Sequence, residues 1–191
     1  MRKKLIVIMT VFLILVLLGC AYINSENPDE ITNSELYSLV SNTFSAEYSG
    51  RLYEFAQILK LTASAATSED ISYVMGRIDG YGYLGMGTFK IVEYNDKVNH
   101  RLITKEIEDP LYEFIYGISD YLDDLDNYVL RANDAAKLDQ IKDDLNSLAE
   151  LTELINDQGY KSTDQKEIDR YLTTLDEIEE IMQRTEELYF H

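Results

Sequence analysis

Residues 111–129 read LYEFIYGISDYLDDLDNYV, and the spacing of their apolar positions decides the fold class. Leu111, Ile115, Ile118, Leu122, Leu125 and Val129 recur in four-three alternation. That spacing lines one side of a helix of about 3.6 residues per turn and conflicts with the two-residue period of a strand. Phe114, Tyr121 and Tyr128 widen the stripe, so this helix meets two neighbours rather than one. Asp109-Pro110 just upstream has the form of a helix start, Asp as N-cap and Pro in the first turn. Residues 95–109 show weak periodicity and mixed charge, and read as a connection.

Working outward, the alternation resumes downstream at Leu138, Ile141, Leu145, Leu148, Thr152 and Ile155, out of phase with Val129 and Ala132. A tight turn at Asn133-Asp134 and a phase slip within one long helix both account for the shift; the break is the expected arrangement. Gly159 stops this segment. Ser162 and Gln165 have capping-box spacing, and Ile168, Leu172, Leu175, Ile178, Met182 and Tyr189 define a last helix. Upstream, Thr32 and Glu35 have the same box spacing ahead of Leu36, Val40, Phe44, Tyr48, Leu52, Phe55, Leu59 and Ala63, which predicts a long helix over residues 33–66. Tyr37, Phe44, Tyr48 and Phe55 on its side read as core rather than as a ligand-stacking surface.

A further helix is expected from Thr67 or Ser68, with Glu69 and Asp70 complementing its exposed amides and Ile71, Val74, Met75 and Ile78 on its apolar face. Gly76, Gly80, Gly82, Gly85 and Gly87 then fall within twelve positions. Each glycine in a helix interior costs about 1 kcal/mol relative to alanine. The expectation is a strained helix that continues to about Tyr94, kept helical by close packing. Gly80-Tyr81-Gly82-Tyr83-Leu84-Gly85 matches G-x-G-x-x-G, but an amphipathic helix precedes it where a dinucleotide site needs a buried strand. Gly80, Tyr81, Gly82, Tyr83 and Gly85 remain the preferred place for a ligand or partner to bind. The sum is an all-α protein: an antiparallel helical bundle of four to five helices over residues 34–191, following a cleaved signal peptide.

Charge narrows the partners. The chain holds 35 acidic against 17 basic residues, a formal charge of −18. Nucleic acid and anionic lipid are bound chiefly through Lys and Arg at phosphate, so no nucleic-acid partner is expected. Chemistry is sparse as well. His100 and His191 are the two histidines, and neither belongs to a metal or general-base spacing. Asp120, Asp123, Asp124 and Asp126 lack the central glycine and terminal glutamate of a calcium loop and read as a solvated helix face. No catalytic constellation, metal site or cofactor is expected, and the chain is read as a non-enzyme.

The N-terminus has its own logic. Arg2, Lys3 and Lys4 precede an apolar run from Leu5 to Leu18, too short for a membrane span of about 20 residues and within the range of a cleaved export signal. Leu17-Leu18-Gly19-Cys20 follows, and it resembles the lipobox of bacterial lipoproteins, with Leu18 where a small residue is more usual. The resemblance implies diacylglyceryl transfer to the Cys20 thiol and cleavage before it. Residues 1–19 are then the signal peptide and residues 20–33 a lipidated tether. Loss of the three basic residues would take the charge from −18 to about −21. Cys20 is the single cysteine, so disulfides within the chain are excluded. The expectation is a lipid-anchored protein on the extracytoplasmic face of a bacterial membrane. It meets the membrane through its N-terminal lipid and engages an envelope protein; a sensor or small-ligand-binding domain is the alternative, and an envelope hydrolase stands third.

Overall fold

The computed structural model describes residues 33–84, 87–93, 102–131 and 135–190, which form helices and turns with no strand among them. The chain divides into two compact units, Met1–Leu39 and Val40–His191; residues 33–39 of the first are described and are helical. Six helices occur among the described residues: α1 Asn33–Ser64, α2 Ser68–Tyr81, α3 Gly87–Glu93, α4 Lys105–Leu125, α5 Ala135–Asp157 and α6 Gln165–Tyr189. A π turn over Asp126–Leu130 extends α4. Cys20 and the signal segment lie outside the described residues, as do Thr32, Gly85, His100 and His191. No described helix is long and apolar enough to cross a membrane.

Within the second unit α1 is the hub. Its predicted stripe of Phe44, Tyr48, Leu52, Phe55, Leu59 and Ala63 is buried, and Arg51, Ala56, Ile58 and Thr62 join it. So wide a buried face meets neighbours on several sides. Phe55 sets its edge against Phe114 and Tyr121 of α4, at 6.4 and 6.1 Å between ring centres. Phe44 meets Phe89 of α3 at 4.5 Å. The Tyr48 hydroxyl donates to the Ile155 carbonyl of α5 and shares a hydrogen bond with the Tyr171 hydroxyl of α6, both at 3.0 Å. Burial pushes both phenols well above the usual tyrosine range, so they stay neutral donors in the core.

Polar contacts give the helix directions. Asp144 near the start of α5 pairs with Arg184 near the end of α6, while Gln158 just past α5 bonds Thr174 of early α6, so the two run antiparallel. Glu54 and Arg51 of α1 likewise face Arg77 and Tyr81 of α2 in reverse order. α4 and α6 face each other in the same order, Glu113 by Glu179 and Tyr121 by Thr185, so these two run parallel.

Local capping accounts for several boundaries. Thr67 caps α2 through a reciprocal box: its hydroxyl accepts from the Asp70 amide at 3.1 Å, and the Asp70 carboxylate accepts from the Thr67 amide at 2.9 Å. The register shift past Val129 also has a cause. The π turn inserts one residue into the helical repeat and ends at Leu130, and α5 begins at Ala135; the expected turn at Asn133-Asp134 lies outside the described residues.

Five expectations are corrected. α2 ends at Tyr81 instead of continuing to about Tyr94, because Tyr83 and Leu84 donate to the Gly80 and Tyr81 carbonyls and wind the chain into a turn. The short α3 that follows raises the helix count to six. Close packing does not explain the glycines: a Cβ at Gly76 or Gly80 would meet nothing within 4 Å, so the glycine positions themselves face no close neighbour. α4 opens at Lys105, not at Asp109-Pro110, since Ile107 extends the buried stripe one turn upstream and Pro110 falls inside the helix. Thr104 anchors that start, its amide donating to the Tyr160 carbonyl at 3.0 Å and its hydroxyl to the Ser162 carbonyl at 2.6 Å. At α6 the N-cap is Asp164, whose carboxylate accepts from the Lys166 amide at 2.9 Å, while Ser162 bonds Glu167 rather than completing a box with Gln165.

Candidate functional site

The glycine and tyrosine segment closes α2 beside α4, and an open cleft of about 650 Å³ lies between them. Its floor is apolar, made by the buried Ile78 and Leu122 with the ring of Tyr81. Its polar groups come from both sides, Asp79 from α2 and Ser119 and Asp123 from α4. Spacing explains the second wall: Ser119 and Asp123 are one turn apart on α4, flanking the Leu122 that turns into the core. Gly82 and Tyr83 form the rim, and Tyr83 is 90% exposed.

Of the residues singled out from sequence, Tyr81, Gly82 and Tyr83 therefore line one site. Gly80 serves the turn through its carbonyl, and Gly85 lies outside the described residues. Gly82 has φ −59° and ψ −23°, a helical conformation open to any residue. A Cβ there would sit 3.7 Å from the Asp79 carbonyl, an ordinary contact, so the absent side chain leaves space and answers no conformational need.

Sequence reasoning missed Arg51. This guanidinium comes from α1, is only 3% exposed, and lies with its central carbon 4.5 Å from the Tyr81 ring centre. Nη1 donates to the Leu84 carbonyl at 2.9 Å, while Nε is buried without an acceptor. The arrangement has a clear electrostatic reason. The last turn of α2 carries no basic residue of its own, so α1 supplies the cation that complements the negative end of that helix. Burial raises the Tyr81 phenol well above its usual range, with the Arg51 charge pulling the other way, yet no hydrogen bond of normal geometry reaches its hydroxyl. A lone arginine in an amphipathic helix gives no sequence signal of this role.

The aspartate run on α4 is sorted by the fold. Asp123 faces the cleft, whereas Asp120 and Asp124 lie beside Glu186 of α6. Desolvation pushes the Glu186 carboxyl up, and the two neighbouring aspartates add to the rise. Asp126 departs from the solvated-face reading altogether: it is 5% exposed and accepts from Arg131 Nε at 2.6 Å.

A second polar cluster joins the α5–α6 loop to α1. Lys161 Nζ donates to the Ser41 and Ser45 hydroxyls at 3.1 and 3.3 Å, and Ser45 shares a bond with the Tyr160 hydroxyl at 2.7 Å. A serine beside a lysine is a chemistry-bearing pair, but the Ser45 hydroxyl also donates to the Ser41 carbonyl at 2.9 Å. The contacts pin the loop. Among the described residues no group of three or more His, Cys, Asp or Glu side chains converges as metal ligands would. Comparison with protein-family models, with curated proteins and with solved structures finds no match to this chain.

Proposed function

We propose that the chain is a lipid-anchored, non-enzymatic binding module on the extracytoplasmic face of a bacterial membrane, tethered through Cys20, and that it engages an envelope protein at the α2–α4 cleft. The observation that carries the reading is the coincidence of two independent lines. The segment singled out by its glycines and tyrosines is the one whose Tyr81, Gly82 and Tyr83 wall a cleft with an apolar floor and a few polar groups. Binding surfaces combine apolar area, which adds affinity, with polar groups that fix orientation. The anchor rests on the lipobox resemblance at Leu17-Leu18-Gly19-Cys20. A short tether of residues 20–33 keeps the domain within about 40 Å of the lipid at roughly 3.3 Å per residue.

The cleft volume of about 650 Å³ favours a second reading, a small-ligand or sensor domain, because it falls within the size range of small-molecule sites. Two measurements test the proposal. Cys20→Ala is expected to abolish labelling by radioactive fatty acid and leave an uncleaved precursor; labelling that persists refutes the anchor. A photo-cross-linking residue in place of Tyr83, in native membranes, is expected to capture one envelope protein, and Gly82→Leu to prevent the capture by filling the cleft. Absence of any capture, together with a small molecule that raises the melting temperature of the wild type but not of Gly82→Leu, favours the second reading.

A further inference from the structure

This inference rests on the reading of the α2–α4 cleft as a binding surface: we propose that the group it receives is an organic cation, an ammonium or guanidinium that is either free or borne by a Lys or Arg side chain. Each wall supplies a carboxylate, Asp79 from α2 and Asp123 from α4, and neither takes part in the ion pairs formed among the described residues. An anion is repelled here.

Tyr81 points independently to a ligand. It lines the cleft, is 1% exposed, and its hydroxyl is buried with no hydrogen-bond partner. A buried hydroxyl without a partner costs about 1–3 kcal/mol, and an N–H donor on its oxygen offsets part of that cost. Tyr83 presents an aromatic ring at 90% exposure on the rim, and aromatic faces attract ammonium and guanidinium groups. Arg51 already shows this chemistry within the fold, resting on the Tyr81 ring. Its own charge is turned to the Leu84 carbonyl, and two carboxylates outweigh it. A bare metal ion is the poorer fit. Hard cations take six to eight oxygen ligands, and no group of three candidate ligand residues converges among the described residues.

The test uses the full lipidated chain in a non-ionic detergent, titrated calorimetrically at constant ionic strength with methylammonium chloride and, separately, with acetyl-trilysine amide; sodium chloride is the blank. Saturable binding of at least one probe is expected, weakened tenfold or more in D79N/D123N. Because the chain carries a charge of −18, the decisive control is D139N/D143N, which removes two exposed carboxylates from α5 and is expected to bind as the wild type does. Gly82→Leu gives a second variant that blocks the cleft without altering charge. Binding of trilysine alone identifies a protein side chain as the source, and binding of methylammonium a free small cation. Failure of both probes, or equal weakening by the two double variants, overturns the assignment. If cross-linking from position 83 still captures a partner that Gly82→Leu excludes, only the ligand class has failed and the binding surface stands.

Discussion

Arg51→Met isolates the guanidinium, because methionine keeps most of the buried stem while removing the charge. The terms oppose one another. The donor bond to the Leu84 carbonyl, at 2.9 Å from a charged group, is worth about 1.5–3 kcal/mol, and a desolvated stack on Tyr81 about 2 kcal/mol more. Against them stands the burial of a cation that is 3% exposed, makes no ion pair among the described residues and leaves Nε without an acceptor. That penalty is several kcal/mol even after relaxation. The two sides nearly cancel, so global stability should move by no more than about 1 kcal/mol, or roughly 2–4 °C in melting temperature for a chain of this size. The local effect is different, since Arg51 is the tie between α1 and the turn after α2. Amide exchange at Tyr83 and Leu84 should accelerate at least tenfold, while amides in the middle of α1 exchange as before. Arg51→Ala also discards the apolar stem at about 0.8 kcal/mol per methylene, and should melt roughly 5–10 °C below the methionine variant. A calorimetric fall above 10 °C for Arg51→Met would show the guanidinium to be a strong net stabiliser and refute the cancellation. Unchanged exchange at Tyr83 and Leu84 would refute the tie.

Other perturbations follow from the same contacts. Gly76→Ala should stabilise the protein by about 0.5–1 kcal/mol, read as a rise in denaturation midpoint, because its Cβ meets nothing within 4 Å and alanine removes unfolded-state freedom; a loss of stability would mean that the open face is packed in solution. Tyr48→Phe should cost more than Tyr171→Phe in urea unfolding, about 1–3 against about 0.5–1.5 kcal/mol. The first strands the Tyr171 hydroxyl and leaves the Ile155 carbonyl only its 3.2 Å bond from the Gln158 amide, whereas the second leaves Tyr48 bonded to Ile155, and equal costs would contradict this. Glu179 and Glu186 have carboxyls raised above the ordinary 4.5 by desolvation and by neighbouring acids, so the fold takes up their protons before the unfolded chain does. Their ionisation therefore destabilises the fold at neutral pH; stability should grow as pH falls from above 4.5 towards that value, and Glu186→Gln should flatten the rise in a melting series.

How much was legible depends on the range of the information. Four-three alternation marked α1, α4, α5 and α6 because a helix repeats every 3.6 residues whatever lies beside it, and Thr67 with Asp70 marked the start of α2 because the cap is closed within a single turn. The end of α2 misled, since five glycines are equally consistent with tight packing and with bare surface. Only the distance to a neighbour decides, and at Gly76 and Gly80 there is none within 4 Å. The start of α4 misled for a related reason: Asp109-Pro110 is a sound local signal, but Thr104 is held by Tyr160 and Ser162, more than fifty residues away.

The candidate site divides along the same line. Tyr81, Gly82 and Tyr83 stood out in the sequence because glycine and tyrosine alternate there against helical grammar. Asp123 and Ser119 did not, since an acid and a serine on an amphipathic helix are ordinary surface until another element is laid against them, and Arg51 was invisible for the same reason. Helical class, acidity and the expected export signal are properties of residues within a turn or two of one another, so the linear chain carries them. Which carboxylates share a cleft, and which cation is buried behind it, depend on where α1, α2 and α4 come to rest, a matter settled by packing between residues that are distant in sequence.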